Sequence, residues 1–196
     1  MFRKPENKFF YISKRGRVAY LILCFEEALK FYDDANLEDW KWLLNELWEI
    51  TSTWDIDGWV SRICYASPEA VMSYHSYQEI IEHCKSVTAW HVQYEFNEDE
   101  FISLQKLYSK ERPYSPVIYA LYDKILNVII LDWGDLEESH TPECLPAIDE
   151  AEQILSEHGI PFPQNSDTMA YIMKHKDRHY GPPFDGRKFS SILRNR

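Results

Sequence analysis

Glycine is scarce in this chain, 6 of 196 residues, and Leu, Glu, Lys and Ala recur in blocks separated by Pro, Ser and Asp. That composition is one of helices joined by short loops. The four cysteines, Cys24, Cys64, Cys84 and Cys144, lie far apart with no paired spacing. A metal-ligand pattern and a disulfide framework are both unsupported, and free, mostly buried thiols are expected. No window approaches eighteen uninterrupted apolar residues, and "MFRKPENKFFYISKRGR" contains no apolar stretch of signal-peptide length, so no membrane partner and a cytoplasmic location are expected. GxGxxG, Walker and nucleophile-elbow patterns are missing too, which leaves hydride, phosphoryl and acyl transfer without a sequence signal.

With 45% hydrophobic and 15% aromatic residues, the chain can bury one sizeable core and is not expected to be disordered. The formal net charge of -11 repels nucleic acid and anionic lipid and attracts basic proteins. Between residues 132 and 157, Asp132, Asp135, Glu137, Glu138, Glu143, Asp149, Glu150, Glu152 and Glu157 stand without a single Lys or Arg. Both ends are basic, so the plain expectation is that they fold back onto the acidic body.

The helical pattern is plainest near the start. In "RGRVAYLILCFEEALKFYDD", Val18, Leu21, Ile22, Phe25, Leu29 and Tyr32 recur at i, i+3, i+4 and i+7, with Tyr20, Cys24, Ala28 and Phe31 widening the stripe. Short helices follow Ser52, started by Asp55 or Asp57, by Ser67 before Pro68, and by Ser76. Asn97 caps a helix with Phe101, Leu104, Leu107 and Tyr108 on its inner face. The segment Val117 to Leu131 is apolar nearly all round and is expected to run through the middle of the protein, although 128–131 also suits a strand. Residues 87–96 are read as a loop or edge segment. A helix from about Ala147 to His158, another over "SDTMAYIMKHKDR" and a turn-rich tail complete the chain. The expected fold is mainly α: a single-domain irregular bundle of about eight to ten helices with little or no sheet, a basic N-terminal arm (1–16) and a C-terminal clamp (180–196).

The stretch "LEDWKWLLNELWEITSTWDIDGW" holds Trp40, Trp42, Trp48, Trp54 and Trp59 among carboxylates. Trp40, Leu43, Leu44, Leu47, Trp48 and Thr51 share one helical face. Trp42 lies about 160° from the middle of that stripe, beside Glu38, Glu46 and Glu49, so a core could hold it only by burying carboxylates. Trp42→Ala is therefore expected to weaken partner binding and leave the melting temperature nearly unchanged.

Catalytic constellations are thin. His175 and His179 sit four apart and on a helix could share a metal ion, but Lys176 stands where the zincin pattern needs Glu. The pairs Asp33/Asp34, Asp55/Asp57 and Glu137/Glu138 could divide acid and base roles, yet paired carboxylates are common in an acidic chain and helix caps account for Asp55 or Asp57. The expectation is a non-enzyme with no cofactor and no metal. A metal-dependent hydrolase using His175 and His179, and an acidic DNA-mimic or scaffold protein, stand as alternatives.

The stretches "ISKRGRVAYLILCFEEAL", "WKWLLNELWEITS", "DGWV" and "GPPFDGRKFSSIL" together resemble a family of small helical bacterial proteins encoded beside secreted polymorphic toxins, the immunity proteins of contact-dependent growth inhibition. That resemblance implies a monomer or weak dimer that binds and neutralises one cognate toxin C-terminal domain, a basic nuclease-type toxin in the expected case, in the cytoplasm. It supplies no catalytic residues. The interface expected on physical grounds has Trp42 as its anchor, Glu38, Glu46 and Glu49 around it, and Asp135, Glu137, Glu138 and Glu143 as a second arm.

Overall fold

Helix α1 (Lys14–Asp33) is enclosed on nearly every side: fifteen of its 20 residues are buried, and it packs against α2 (Leu37–Glu49), α7 (Ser115–Ile130), α8 (Leu145–Glu157) and α9 (Ser166–Lys174). Between them lie α3 (Ile56–Tyr65), α4 (Pro68–Met72), α5 (Tyr77–Ser86) and α6 (Glu98–Tyr108), and a single 3-10 turn, Arg187–Phe189, follows α9. The computed structural model describes residues 8–33, 36–86, 96–110, 112–113, 115–130, 144–164, 166–174 and 180–194. Among them there are nine α-helices and no strand, which makes the fold a mainly α, irregular bundle. No described helix is long and apolar enough to cross a membrane.

Local chemistry starts the helices where the sequence places caps. Asp55, Ser67 and Asn97 each accept an N–H from the residue three positions on, and Asn97 with Glu100 closes a full capping box. Ser76 does the same for α5 through the Glu79 N–H. The run at 128–130 is helical, the end of α7, while 87–95 lies outside the described residues. The centre is occupied differently from the expectation: α7 packs on α1, α3 and α8 but keeps Asp123 exposed, and α1 is the helix enclosed by four neighbours.

That enclosure carries four charged side chains into the interior, and each is matched by hydrogen bonds, as burial of charge requires. Arg17 donates to the Phe9 carbonyl at 3.1 Å, the Phe10 carbonyl at 2.8 Å and the Cys144 Sγ at 2.6 Å. Asp33 accepts from Asn36 Nδ2 at 2.7 Å and Trp40 Nε1 at 2.8 Å and pairs with Arg112. Arg15 donates to the carbonyls of Ile50, Thr53 and Gly181. Glu26, 1% exposed, accepts from Trp48 Nε1 at 2.8 Å, Ser190 Oγ at 2.5 Å, and the Ser191 N–H and Oγ at 2.9 and 3.2 Å. Burial pushes the Glu26 carboxyl above its ordinary value of 4.5, and the donors from Ser190, Trp48 and Ser191 oppose that shift.

The ends of the chain are part of this interior. Phe9 and Ile12 are buried and α1 begins at Lys14, so residues 9–16 are body rather than a loose arm, and Lys8 pairs with Glu152 at 3.0 Å. Beyond Gly181, the Phe184 N–H reaches the Thr51 carbonyl at 2.7 Å, the Gly186 N–H reaches Thr51 Oγ1 at 3.0 Å, and Ile192 is 2% exposed. Gly186 has no room for a side chain: a Cβ there would lie 2.6 Å from Thr51 Oγ1 and 2.7 Å from Trp48 Cε3. This strap closes the core over Trp48.

Candidate functional site at the corner of α2 and α3

Helix α2 presents Leu43, Leu44, Leu47, Trp40 and Trp48 inward, as their spacing predicts. Trp42, on the opposite side, has found an internal partner. It is half-buried and packs edge-on against Phe96, with ring centroids 5.4 Å apart at 66°. One turn on, Glu46 Oε2 accepts from Arg62 Nε at 3.0 Å and Nη2 at 2.5 Å, with side-chain exposures of 15% for Glu46 and 23% for Arg62. The Arg62 guanidinium lies 5.0 Å from the Phe96 ring centre. Trp42 and Glu46 thus face α3 and Phe96 rather than open solvent. The expectation that a buried carboxylate would bar Trp42 from the interior fails because Arg62, sixteen residues away in sequence, compensates Glu46.

Among the described tryptophans, the ring that stands in solvent is that of Trp54, 81% exposed. It sits where α2 ends and α3 begins, in a turn held from below. Arg15 Nη2 donates to the Thr53 carbonyl at 2.7 Å, the Thr53 N–H returns to the Glu49 carbonyl at 2.9 Å, and the Asp55 N–H bonds Thr53 Oγ1 at 3.1 Å. Asp55 Oδ1 then accepts the Gly58 N–H at 3.0 Å and starts α3. The backbone on both sides of Trp54 is therefore fixed, while its indole makes no hydrogen bond or ring contact among the described residues.

Beside Trp54 opens a cleft of about 340 Å³ lined by Glu49, Thr53, Asp55, Gly58, Trp59 and Arg62. Trp59 is 3% exposed and donates its Nε1–H to the Glu46 carbonyl at 2.7 Å, which fixes its ring in the wall. Glu49 is half-buried, and its carboxylate has no hydrogen-bond or ion-pair partner among the described residues. Of the other expected contact residues, Glu38 has its side chain 81% exposed and pairs with Lys41 within α2. Asp135, Glu137, Glu138 and Glu143 lie outside the described residues, as do His175 and His179. Compared with protein-family models, with curated proteins and with solved structures, the chain matches none.

Two other clefts differ in chemistry. One, of about 580 Å³, is walled by Tyr108, Tyr119 and prolines with Arg112, whose guanidinium is held by Asp33. The other, of about 380 Å³, lies between Met72 and Ile102 with Lys106 at its edge. Among the described residues no group of three or more His, Cys, Asp or Glu side chains is placed to hold a metal ion. Of these three clefts among the described residues, the one at the α2–α3 corner has a large exposed aromatic ring beside it and carboxylates with capacity left to bind, and this makes it the candidate site. In sequence, Trp54 had one signal: it stands between two helices, after the apolar period of α2 has lapsed at Ser52 and before the cap at Asp55.

Proposed function

We propose that this protein is an immunity-type inhibitor that binds a basic toxin domain in the cytoplasm of the cell that makes it, as a monomer or weak dimer. The observation that carries the reading is the α2–α3 corner, where Trp54 is presented on a braced turn close in the chain to Glu49, whose carboxylate has no partner among the described residues. A rigid ring supplies buried contact area at little entropic cost, and surrounding negative charge steers a positive partner and fixes its orientation. The net charge of -11 supports the same partner chemistry. Glu38, exposed on α2, extends the acidic rim. Trp42 and Glu46 act one layer down, holding α2 to α3 so that the corner keeps its shape.

The test is growth rescue. The reading expects a toxin-bearing exoprotein to be encoded immediately upstream; its C-terminal domain is expressed in a bacterial host, with and without this chain. Rescue is expected, and Trp54→Ala should weaken the complex by roughly thirtyfold or more, the equivalent of about 2 kcal/mol for a central aromatic anchor. Growth arrest that the chain does not relieve would overturn the reading.

A further inference from the structure

We propose that the cleft between α2 and α3 is a receptor for one arginine side chain of the basic partner, a proposal that rests on the contact-binding function given above. Three properties of the cleft select that group. The first is charge with unused capacity. Glu49 is half-buried in the lining with no partner for its carboxylate among the described residues, and Asp55 commits Oδ1 to the Gly58 N–H while Oδ2 accepts no hydrogen bond there. A carboxylate withdrawn from water without a partner is unfavourable, so an incoming donor is stabilised on it more than on a fully solvated one.

The second is that the one cation already in the lining is committed elsewhere. Arg62 gives Nε and Nη2 to Glu46 and lies over Phe96, so the Glu46–Arg62 pair is neutral and Glu49 with Asp55 sets the sign of the site. An anionic ligand is disfavoured for the same reason.

The third is shape. The volume of about 340 Å³ lies at the small end of ligand pockets, right for a side chain. Trp59 is part of the wall, and Trp54, 81% exposed and without a hydrogen bond or ring contact among the described residues, follows lining residue Thr53 and precedes lining residue Asp55 in the chain at the cleft's edge. Arginine matches this arrangement better than lysine. Its planar guanidinium stacks on an indole face while its N–H edge reaches carboxylates, whereas an ammonium is a compact, strongly hydrated point charge.

The experiment uses the whole chain, labelled with ¹⁵N, and no toxin. Acetyl-Gly-Arg-Gly-amide is titrated while the Trp54 indole and Glu49 amide signals are followed by NMR, with the lysine and citrulline versions of the same peptide as comparisons. The arginine peptide should shift both signals saturably, the lysine peptide should bind more weakly, and neutral citrulline should leave them in place. Glu49→Gln and Trp54→Ala, read on the remaining signals, should each weaken arginine binding at least about fivefold while the rest of the spectrum stays native. Equal shifts from citrulline, or full affinity in both variants, would overturn the receptor. Because the probe is a peptide, arginine binding without growth rescue removes the toxin and leaves the receptor standing. Rescue without arginine binding removes the receptor alone.

Discussion

Replacing Glu26 by alanine tests the hydrogen-bond logic of the core at its most concentrated point. The carboxylate is 1% exposed and takes four donors, two of which, Trp48 Nε1–H and the Ser191 N–H, cannot rotate toward other acceptors. Each buried donor left unsatisfied costs about 1–3 kcal/mol, and the two serine hydroxyls can partly re-pair, so Glu26→Ala should destabilise the protein by about 2–5 kcal/mol. Against a total stability of about 5–15 kcal/mol this is a large fraction. With a urea dependence of about 2 kcal/mol/M, the midpoint should fall by about 1–2.5 M, read from tryptophan fluorescence to which Trp48 itself contributes. Trypsin should also cut faster at the exposed Arg187 and Lys188 as the strap loosens. Glu26→Gln should cost less, because an amide oxygen can still serve Trp48 and Ser190 while its NH₂ opposes the Ser191 N–H. The pH dependence has a definite sign. The folded-state pKa is raised above 4.5, so the stability linked to this titration is complete below that value and is lost as pH rises through the folded pKa. The stability difference between wild type and Glu26→Gln should shrink over that same rise. An alanine variant within about 0.5 kcal/mol of wild type, with unchanged protection of the strap, would refute the reasoning.

Two more variants test the corner. Trp42→Ala should cost about 1–3 kcal/mol in urea unfolding, because its half-buried ring stacks edge-on against Phe96, whereas Trp54→Ala, at 81% exposure, should stay within about 0.5 kcal/mol of wild type; equal costs would contradict the assignment of inner and outer rings. Gly58→Ala would place a Cβ 2.3 Å from Asp55 Oδ2, so it should displace the cap of α3 and lower stability by about 1 kcal/mol in thermal melts, an effect that Asp55→Ala should largely duplicate.

The contrast between Trp42 and Trp54 marks where sequence reasoning runs out. The apolar stripes of α1 and α2 and the caps at Asp55, Ser67 and Asn97 were legible, because each depends on residues within one or two turns of one another. The placement of Trp42 depends instead on Phe96 and on the neutralisation of Glu46 by Arg62, pairings that close across separate elements and leave no periodic trace. Glu26 is the same case in stronger form. Within an amphipathic pattern it reads as a solvent-facing carboxylate, yet residues 164 and 165 positions away supply the donors that let it sit inside. Exposure of Trp54 follows from a local break in pattern, but a broken pattern alone does not distinguish a free ring from one covered by a distant segment.

The strap over Trp48 has a consequence for synthesis. Ser190 emerges from the ribosome 164 residues after Glu26, a delay of about 8–33 s at typical elongation rates. For that interval α1 and α2 exist with a carboxylate and an indole awaiting donors and cover that have yet to be translated. Protection from chaperones or from early pairing with neighbouring chains therefore matters most during translation, and elongation speed through the second half of the message becomes a determinant of yield.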